Sequence, residues 1–321
     1  LKVLFGQELV NKGHNIDMLL QSGNTCKVSY QTNWSGCRVW VGPTDLCQSL
    51  IRKFKKHALS TFHDFKLFSL ARKESYDFIQ VKDKFISALF AIIASKRNHS
   101  KFLYWLSFPF PEADLYEVKN GLARYPLIYF IRGLSTYFLL YKIILPYADH
   151  IFVQSEQMKK DISTKGINYK KMTVVVMGVS LNAIKKQSNT ECHTEVSSLK
   201  NIIYLGALDK IRRIDFLIKV FYKVQKILPD VCFYIVGGTS DLEIIKKLEE
   251  EALRLGIKDK TIFTGFLPTK EAWNYVAKAD VCISYIHPNP IFNVGSPTKL
   301  IEYMAFGKPV VANNHPEQLT V

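Results

Sequence analysis

Acidic residues are scarce in this sequence: 28 Asp and Glu stand against 43 Lys and Arg, for a formal net charge of +15. Cysteine is scarce too. The six cysteines, at 26, 37, 47, 192, 232 and 282, form no C-x-x-C pair, which excludes a disulfide scaffold and a zinc ribbon. Cys232 and Cys282 lie inside apolar, strand-like runs, so the set reads as reduced core thiols in cytosol. There is no H-E-x-x-H and no D-x-D, so no metal-ligand spacing is present, and no metal or cofactor is expected. No G-x-G-x-x-G follows a strand-like run, which disfavours an NAD-type oxidoreductase. No charge-free apolar run of ~18 residues occurs either. The longest apolar patch, Pro126 to Pro146, is broken by Arg132 and Lys142, which argues against a membrane span and leaves a core helix or one lying on a bilayer surface.

The positive charge is not evenly spread. Up to Lys200 there are 28 Lys and Arg against 15 acids, and from Asn201 onward 15 against 13, so the basic excess belongs to the first part of the chain. Nucleic acid, anionic lipid and acidic glycans all suit such a surface. No nucleic-acid module is found, so nucleic acid is set aside and an anionic membrane surface is the favoured partner. A basic stretch from Leu46 to Arg72 interleaves Arg52, Lys53, Lys55, Lys56 and His57 with Phe54, Phe62, Phe65 and Phe68. It suits either a membrane-facing surface or a solvated helix whose Phe side chains turn to the core.

At 321 residues the chain accommodates two domains. In the first part, helix-like Leu1 to Val10 precedes a strand at Asn15 to Leu20, and the segment Thr25 to Asp45 is a hairpin or irregular. Tyr76 to Val81, Phe85 to Ser95 and Phe102 to Ser107 then read strand, helix, strand. Strands Ile151 to Val153 and Thr173 to Met177 flank a helix with Ser155 as its N-cap, and the polar run Lys185 to Ser198 is the natural linker. From Ile202 the alternation is regular. Strands Ile202 to Leu205, Cys232 to Val236, Ile262 to Thr264, Val281 to Ser284 and Pro309 to Ala312 are separated by helices Asp215 to Ile227, Leu242 to Leu255, Glu271 to Ala277 and a short helix after Ser296. This order predicts a doubly wound parallel sheet with ligands at the strand carboxyl ends. The expected domains are residues 1–190 and 191–321.

The stretch Asn293 to Val311, N-V-G-S-P-T-K-L-I-E-Y-M-A-F-G-K-P-V-V, is the most informative. Ser296 suits an N-cap, Pro297 the first helical position, and Gly307 with Pro309 the helix end. Ser296, Thr298, Lys299 and Leu300 would present free backbone N–H groups, the positive end of a helix dipole and a full charge to whatever lies in front. Glu302, one turn further in, is placed to accept a hydroxyl from a ligand whose phosphate sits at the tip. Phosphate plus ribose suggests a nucleotide. The plainer alternative is a capped helix that packs Leu300 and Met304 into a core, with Lys299 and Glu302 as a surface pair.

The run S-P-T-K-L-I-E-Y-M-A-F-G-K-P-V-V resembles the donor-site signature of the group 1 (family 4) glycosyltransferases, and the resemblance implies two Rossmann-like α/β domains facing a cleft, the GT-B fold. It implies that Glu302 is the last carboxylate of an E-x7-E pattern and holds the donor ribose; Val294 stands where the first would be. In the turn G-A-L-D-K-I-R-R after Gly206, the family's diphosphate cations correspond to Ala207 and Arg212. Arg212 is thus the expected diphosphate ligand, with Lys210 or Arg213 standing in for the cation lost at Ala207. Gly265 and Phe266 match the nucleobase position, and His287 to Asn293 the donor-sugar position, where Asn289 and Asn293 face hydroxyls. The loop Ser107 to Asp114 carries no histidine where many relatives have one; either Glu112 or Asp114 takes an acceptor-activating role, or the two are an exposed acidic helix start, the reading favoured.

The function implied is a retaining, metal-independent, hexosyltransferase-like glycosyltransferase of polysaccharide biosynthesis, moving a sugar from a nucleotide-diphosphate sugar to a glycan or lipid-linked acceptor. Its catalytic groups would be Arg212 and Glu302, and its place the cytoplasm, peripheral at the inner membrane face. The alternative, given Val294 and Ala207, is a noncatalytic nucleotide-sugar-binding partner of another glycosyltransferase. The chain opens without Met, on a helix, and stops just after a strand, so by this resemblance it is expected to be truncated at both ends and aggregation-prone by itself.

Overall fold

The computed structural model describes residues 4–44, 50–188 and 201–321. Cys47, Cys192 and most of the expected linker lie outside the described residues, as do the side chains of Arg52, Lys53 and Phe54. A π-helical turn Leu4–Glu8 and Leu9–Asn11 stand for the first helix. Next come β1 (Asp17–Gln21), β2 (Tyr30–Trp34) and β3 (Cys37–Gly42), in the sheet order β1-β3-β2, with β1 parallel and β2 antiparallel to β3. Tyr30 to Gly42, within the segment expected to be a hairpin or irregular, is therefore a hairpin, and positive φ at both Ser35 and Gly36 makes the two-residue turn that fits strand twist. Met18, Cys37, Val39 and Val41 form the core of this sheet.

A second sheet has the order β4 (Phe78–Lys82), β5 (Lys101–Leu106), β6 (His150–Val153), β7 (Met172–Val174). β4 and β5 are parallel, and between them in sequence the helix Phe85–Asn98 lies close on the strands through Ala88, Ala91 and Ala94, each fully buried. Within the basic stretch, the helices Leu50–Asp64 and Lys66–Lys73 do not turn all their aromatics inward: Phe62 is 72% exposed, while Phe65 packs its ring on Phe90 at 4.3 Å. The apolar patch is a continuous helix from Pro126 to Tyr147, long and apolar enough by length and composition to cross a membrane, with only 22% of its most apolar window buried.

Cys232 to Val236 and Val281 to Ser284 are apolar at almost every position, so each strand needs cover on both faces. They have it. β8 (Asn201–Leu205), β9 (Cys232–Val236), β10 (Thr261–Gly265), β11 (Val281–Ser284) and β12 (Val310–Ala312) form an all-parallel sheet of order β10-β9-β8-β11-β12. On one face Tyr204, Phe233 and Ile235 pack with Leu217, Ile218 and Phe221 of the helix Ile214–Ile227 and Leu248 of the helix Leu242–Arg254. On the other, Ile203, Val236 and Cys282 pack with Val276 of the helix Thr269–Lys278 and Tyr303 of the helix Thr298–Ala305. This is the doubly wound α/β architecture, and its strand order reverses between β8 and β11, where such sheets open a crevice. By its contacts the chain divides into two compact units: Leu1–Ser107 with Thr136–Phe152, and Phe108–Ser135 with Val153–Val321.

Candidate functional site

At the carboxyl end of β8 the chain enters Gly206, whose N–H donates to Val236 O at 2.9 Å. Gly237 follows β9 with φ +129°, and a Cβ placed there would lie 2.1 Å from Gly206 O. The two strand ends therefore approach to a distance that only glycine allows. Beyond Gly206 a tight turn, Lys210–Arg212, is closed by Arg212 N donating to Asp209 O at 2.8 Å. The Arg212 guanidinium lies over the Phe292 ring at 4.9 Å and 3.6 Å from Asp209 Oδ2. Its Nε is buried and has no hydrogen-bond partner.

β11 delivers the opposite wall. Asn289 is buried; its Oδ1 accepts from Ile291 N at 3.0 Å and Phe292 N at 2.8 Å and so shapes its own loop, while its buried Nδ2 has no hydrogen-bond partner. His315 braces that loop from behind. Its Nδ1 accepts from Glu317 N at 3.3 Å, which leaves Nε2 to donate to Phe292 O at 2.9 Å. Ser155, the expected N-cap, accepts from Met158 N at 3.0 Å and donates its hydroxyl to Val294 O at 2.7 Å. Ser296 is not the cap of the following helix. Its Oγ accepts from Met177 N at 3.1 Å, Pro297 at φ −81°, ψ 62° takes the cap position, and Thr298, whose N–H donates to Ser296 O at 2.9 Å, is the first helical residue.

That helix sets Lys299 and Glu302. Lys299 keeps some exposure along its stem, but Nζ is densely surrounded: it donates to Tyr285 O at 3.3 Å and lies 4.1 Å from the centre of the Tyr204 ring. Burial, and next the neighbouring Arg212 charge, bring its pKa down to about 7, with Glu302 opposing. Burial pushes the Glu302 carboxyl above its usual range, opposed by the Trp273 indole and the Lys299 ammonium. Glu302 and Lys299 act on each other through the field without an ion pair at contact distance, and the buried Trp273 Nε1 closes no hydrogen bond of ordinary geometry. Tyr303 locks the helix to the sheet, its OH accepting from Leu205 N at 2.8 Å.

The structure thus brings Gly206, Arg212 and Lys299 together at the crevice, with Glu302 one turn behind. Gly265 sits opposite Gly237, and Phe266, 72% exposed, lies beside Gly238. Asn293 is part-buried with its N–H on Asn289 O, and Leu300 is a core side chain. Lys210 and Arg213 do not join the pair of cations. Lys210 is exposed on the wall of a pocket of about 630 Å³ that also has Tyr116, Asp241 and His287 in its lining, and Arg213 is bonded through two nitrogens to Asp215, both at 3.0 Å. Glu112 and Asp114 are engaged by Lys165 and Arg132, the arrangement of an acidic helix start. Tyr204, Tyr285, Trp273, Phe292 and His315 were not singled out by the sequence; each lies on a strand end, loop or helix face that reads as ordinary core. Among the described residues, no group of three or more His, Cys, Asp or Glu side chains is gathered as a metal would require.

Residues 199–320 match the family model described as Glycosyl transferases group 1. An uncharacterized glycosyltransferase of Methanocaldococcus jannaschii is 23% identical over 274 residues, covering 83% of this chain and 57% of that protein; the chain spans little more than half of that relative's length. The sucrose-phosphate synthase of Thermosynechococcus elongatus superposes with a TM-score of 0.66 at 19% identity, over 98% of this chain and 75% of that one. Anabaena HepE, solved in complex with UDP and glucose, superposes with a TM-score of 0.62 at 16% identity, over 96% and 83%. At these identities the likeness establishes the GT-B fold alone.

Proposed function

We propose, for a chain whose residues 199–320 match the model of the group 1 glycosyltransferases, that it binds a nucleotide-diphosphate sugar at the β8–β11 crevice and transfers the sugar with retention to a glycan or lipid-linked acceptor. The observation that carries this is the pairing of Arg212 with Lys299: two cations share the crevice, and the Arg212 Nε–H closes no hydrogen bond, with the Asp209 carboxylate standing off at 3.6 Å. A diphosphate answers both groups. As the bond from the anomeric carbon to the diphosphate oxygen breaks, negative charge grows on that oxygen, and fixed cations there lower the barrier. Arg212 and Lys299 take this role. Glu302 accepts a ribose hydroxyl, Gly265 and Phe266 flank the base, Gly206 leaves room for the phosphates, and Thr298 lies at the helix tip.

In this reading residues 191–321 are the donor half and 1–190 the acceptor half. Transfer needs no metal, the moved unit is a hexose, the product belongs to a polysaccharide, and the protein works at the cytoplasmic face of an anionic membrane. UDP is the first nucleotide to test, because HepE holds it. Calorimetry should show UDP binding at least about tenfold more tightly than uridine, the difference a charge-assisted diphosphate contact makes. Equal affinities would overturn the reading. One observation favours a second, noncatalytic reading: Val294, at the place of the family's missing carboxylate, is 3% exposed and cannot orient a sugar. Release of UDP from UDP-sugars in the presence of acceptor separates the two, since a binding partner shows affinity without turnover.

A further inference from the structure

The helix Pro126–Phe138 carries an apolar stripe that, among the described residues, nothing covers. Leu127, Ile131, Leu134 and Phe138, at i, i+4, i+7 and i+11, fall on one face, and each is exposed, Leu127 at 71%. The opposite side is seated. A Cβ at the buried Gly133 would lie 2.9 Å from Leu115 of the helix Phe110–Lys119, and Arg132 Nε donates to Asp114 Oδ2 at 2.6 Å. The exposed stripe is therefore a fixed surface, not a frayed end.

Its charges identify the occupant. From Val118 to Ala148 there is no acidic residue, while Lys119, Arg124, Arg132 and Lys142 are all basic. Arg124 and Lys142, both exposed, bracket the stripe at its two ends. A second copy laid on this face would set like charges against like. A membrane span would strip water from the Arg132–Asp114 pair and pull the helix from Leu115. We propose that this helix lies flat in the headgroup region of an anionic bilayer, with Leu127, Ile131, Leu134 and Phe138 among the acyl chains and Arg124 and Lys142 on lipid phosphates. The proposal rests on the membrane part of the reading above and names its contact; it does not depend on the donor site.

The test is co-sedimentation of the full chain with vesicles of phosphatidylcholine alone or with phosphatidylglycerol, at low and high salt. Leu127→Ser, Ile131→Ser and Leu134→Ser together, checked for an unchanged melting curve and UDP affinity, should reduce partitioning to anionic vesicles by at least about tenfold. Arg124→Glu with Lys142→Glu should remove the preference for anionic over neutral vesicles. If the triple variant partitions normally while Lys55→Glu with Lys56→Glu abolishes binding, the helix assignment is overturned and the membrane reading stands. No vesicle binding by the unaltered chain would overturn both. A dimer that the triple variant breaks, with no vesicle affinity, would assign the stripe to a second copy and overturn the proposal.

Discussion

Lys299 is held in two opposed ways: protein atoms around Nζ and the nearby Arg212 favour the neutral amine, whereas a bound phosphate favours the ammonium. With a folded-state pKa of about 7 against 10.5 unperturbed, the unfolded chain binds the extra proton between those pH values, so this residue's contribution to stability rises with pH across that window and is least favourable below it. Nucleotide binding has the opposite sign. Above pH 7 binding must take up a proton, and UDP affinity should fall by up to about tenfold per pH unit. Calorimetry at pH 8 in buffers of different ionisation enthalpy reads that uptake directly; its absence would place the phosphates away from Lys299. Arg212→Ala should cost UDP more affinity than uridine, by ~1.5–3 kcal/mol, and equal losses would exclude a diphosphate contact. Glu302→Gln should weaken UDP binding by a similar amount with the melting temperature preserved; unchanged UDP affinity by calorimetry would remove Glu302 from the ribose. Lys299, Glu302 and Arg212 were legible because short motifs carry them. Tyr204 and Phe292 were not, since a ring beside a cation from a distant segment leaves no local pattern.

The elements differ in how plainly the sequence announces them. β9 and β11 appear where their unbroken apolar runs put them, because a strand buried on both faces has no polar phase to confuse. β2 was unreadable for the opposite reason: Tyr30–Asn33 is exposed throughout and lies in a small mixed sheet, so its residues show no buried periodicity. The helix at Thr298 starts one residue later than its capping signals suggest, since the Ser296 hydroxyl is engaged by Met177 N. At this scale Gly237→Ala is the severe substitution. Its Cβ would meet Gly206 O at 2.1 Å in a backbone conformation that side chains resist, for a loss of at least ~2 kcal/mol and a matching fall in melting temperature. A normal melting curve for this variant would mean the two strand ends can separate. Ser155→Ala removes a cap and strands the buried Val294 carbonyl, for about 1–3 kcal/mol in denaturant titration.

For the whole molecule, the α/β class was legible from the alternation of strand and helix runs, whereas the division into compact units was not, since Phe108–Ser135 and Val153 onward group with the later sheet. Sequence could not say which face of the long apolar helix turns outward, because Pro126 to Pro146, Arg132 and Lys142 apart, is apolar almost all round and only tertiary packing at Gly133 selects the buried side. The bond from Ser155 to Val294 has a further consequence, in time rather than in space. It joins residues 139 positions apart, and Glu317 Oε1 accepts from Gln157 N across 160. Contacts so distant in sequence close only after much of the chain between them is ordered, since loop entropy must be overcome first. On a ribosome, the Ser155 hydroxyl and the Gln157 N–H therefore wait for the segment from Val294 to Glu317 to emerge, while Ser155 can already cap Met158 N locally. Glu317→Ala should accordingly speed unfolding while leaving the refolding rate nearly unchanged in stopped-flow measurements, because the Gln157 bond it removes is among the last to form.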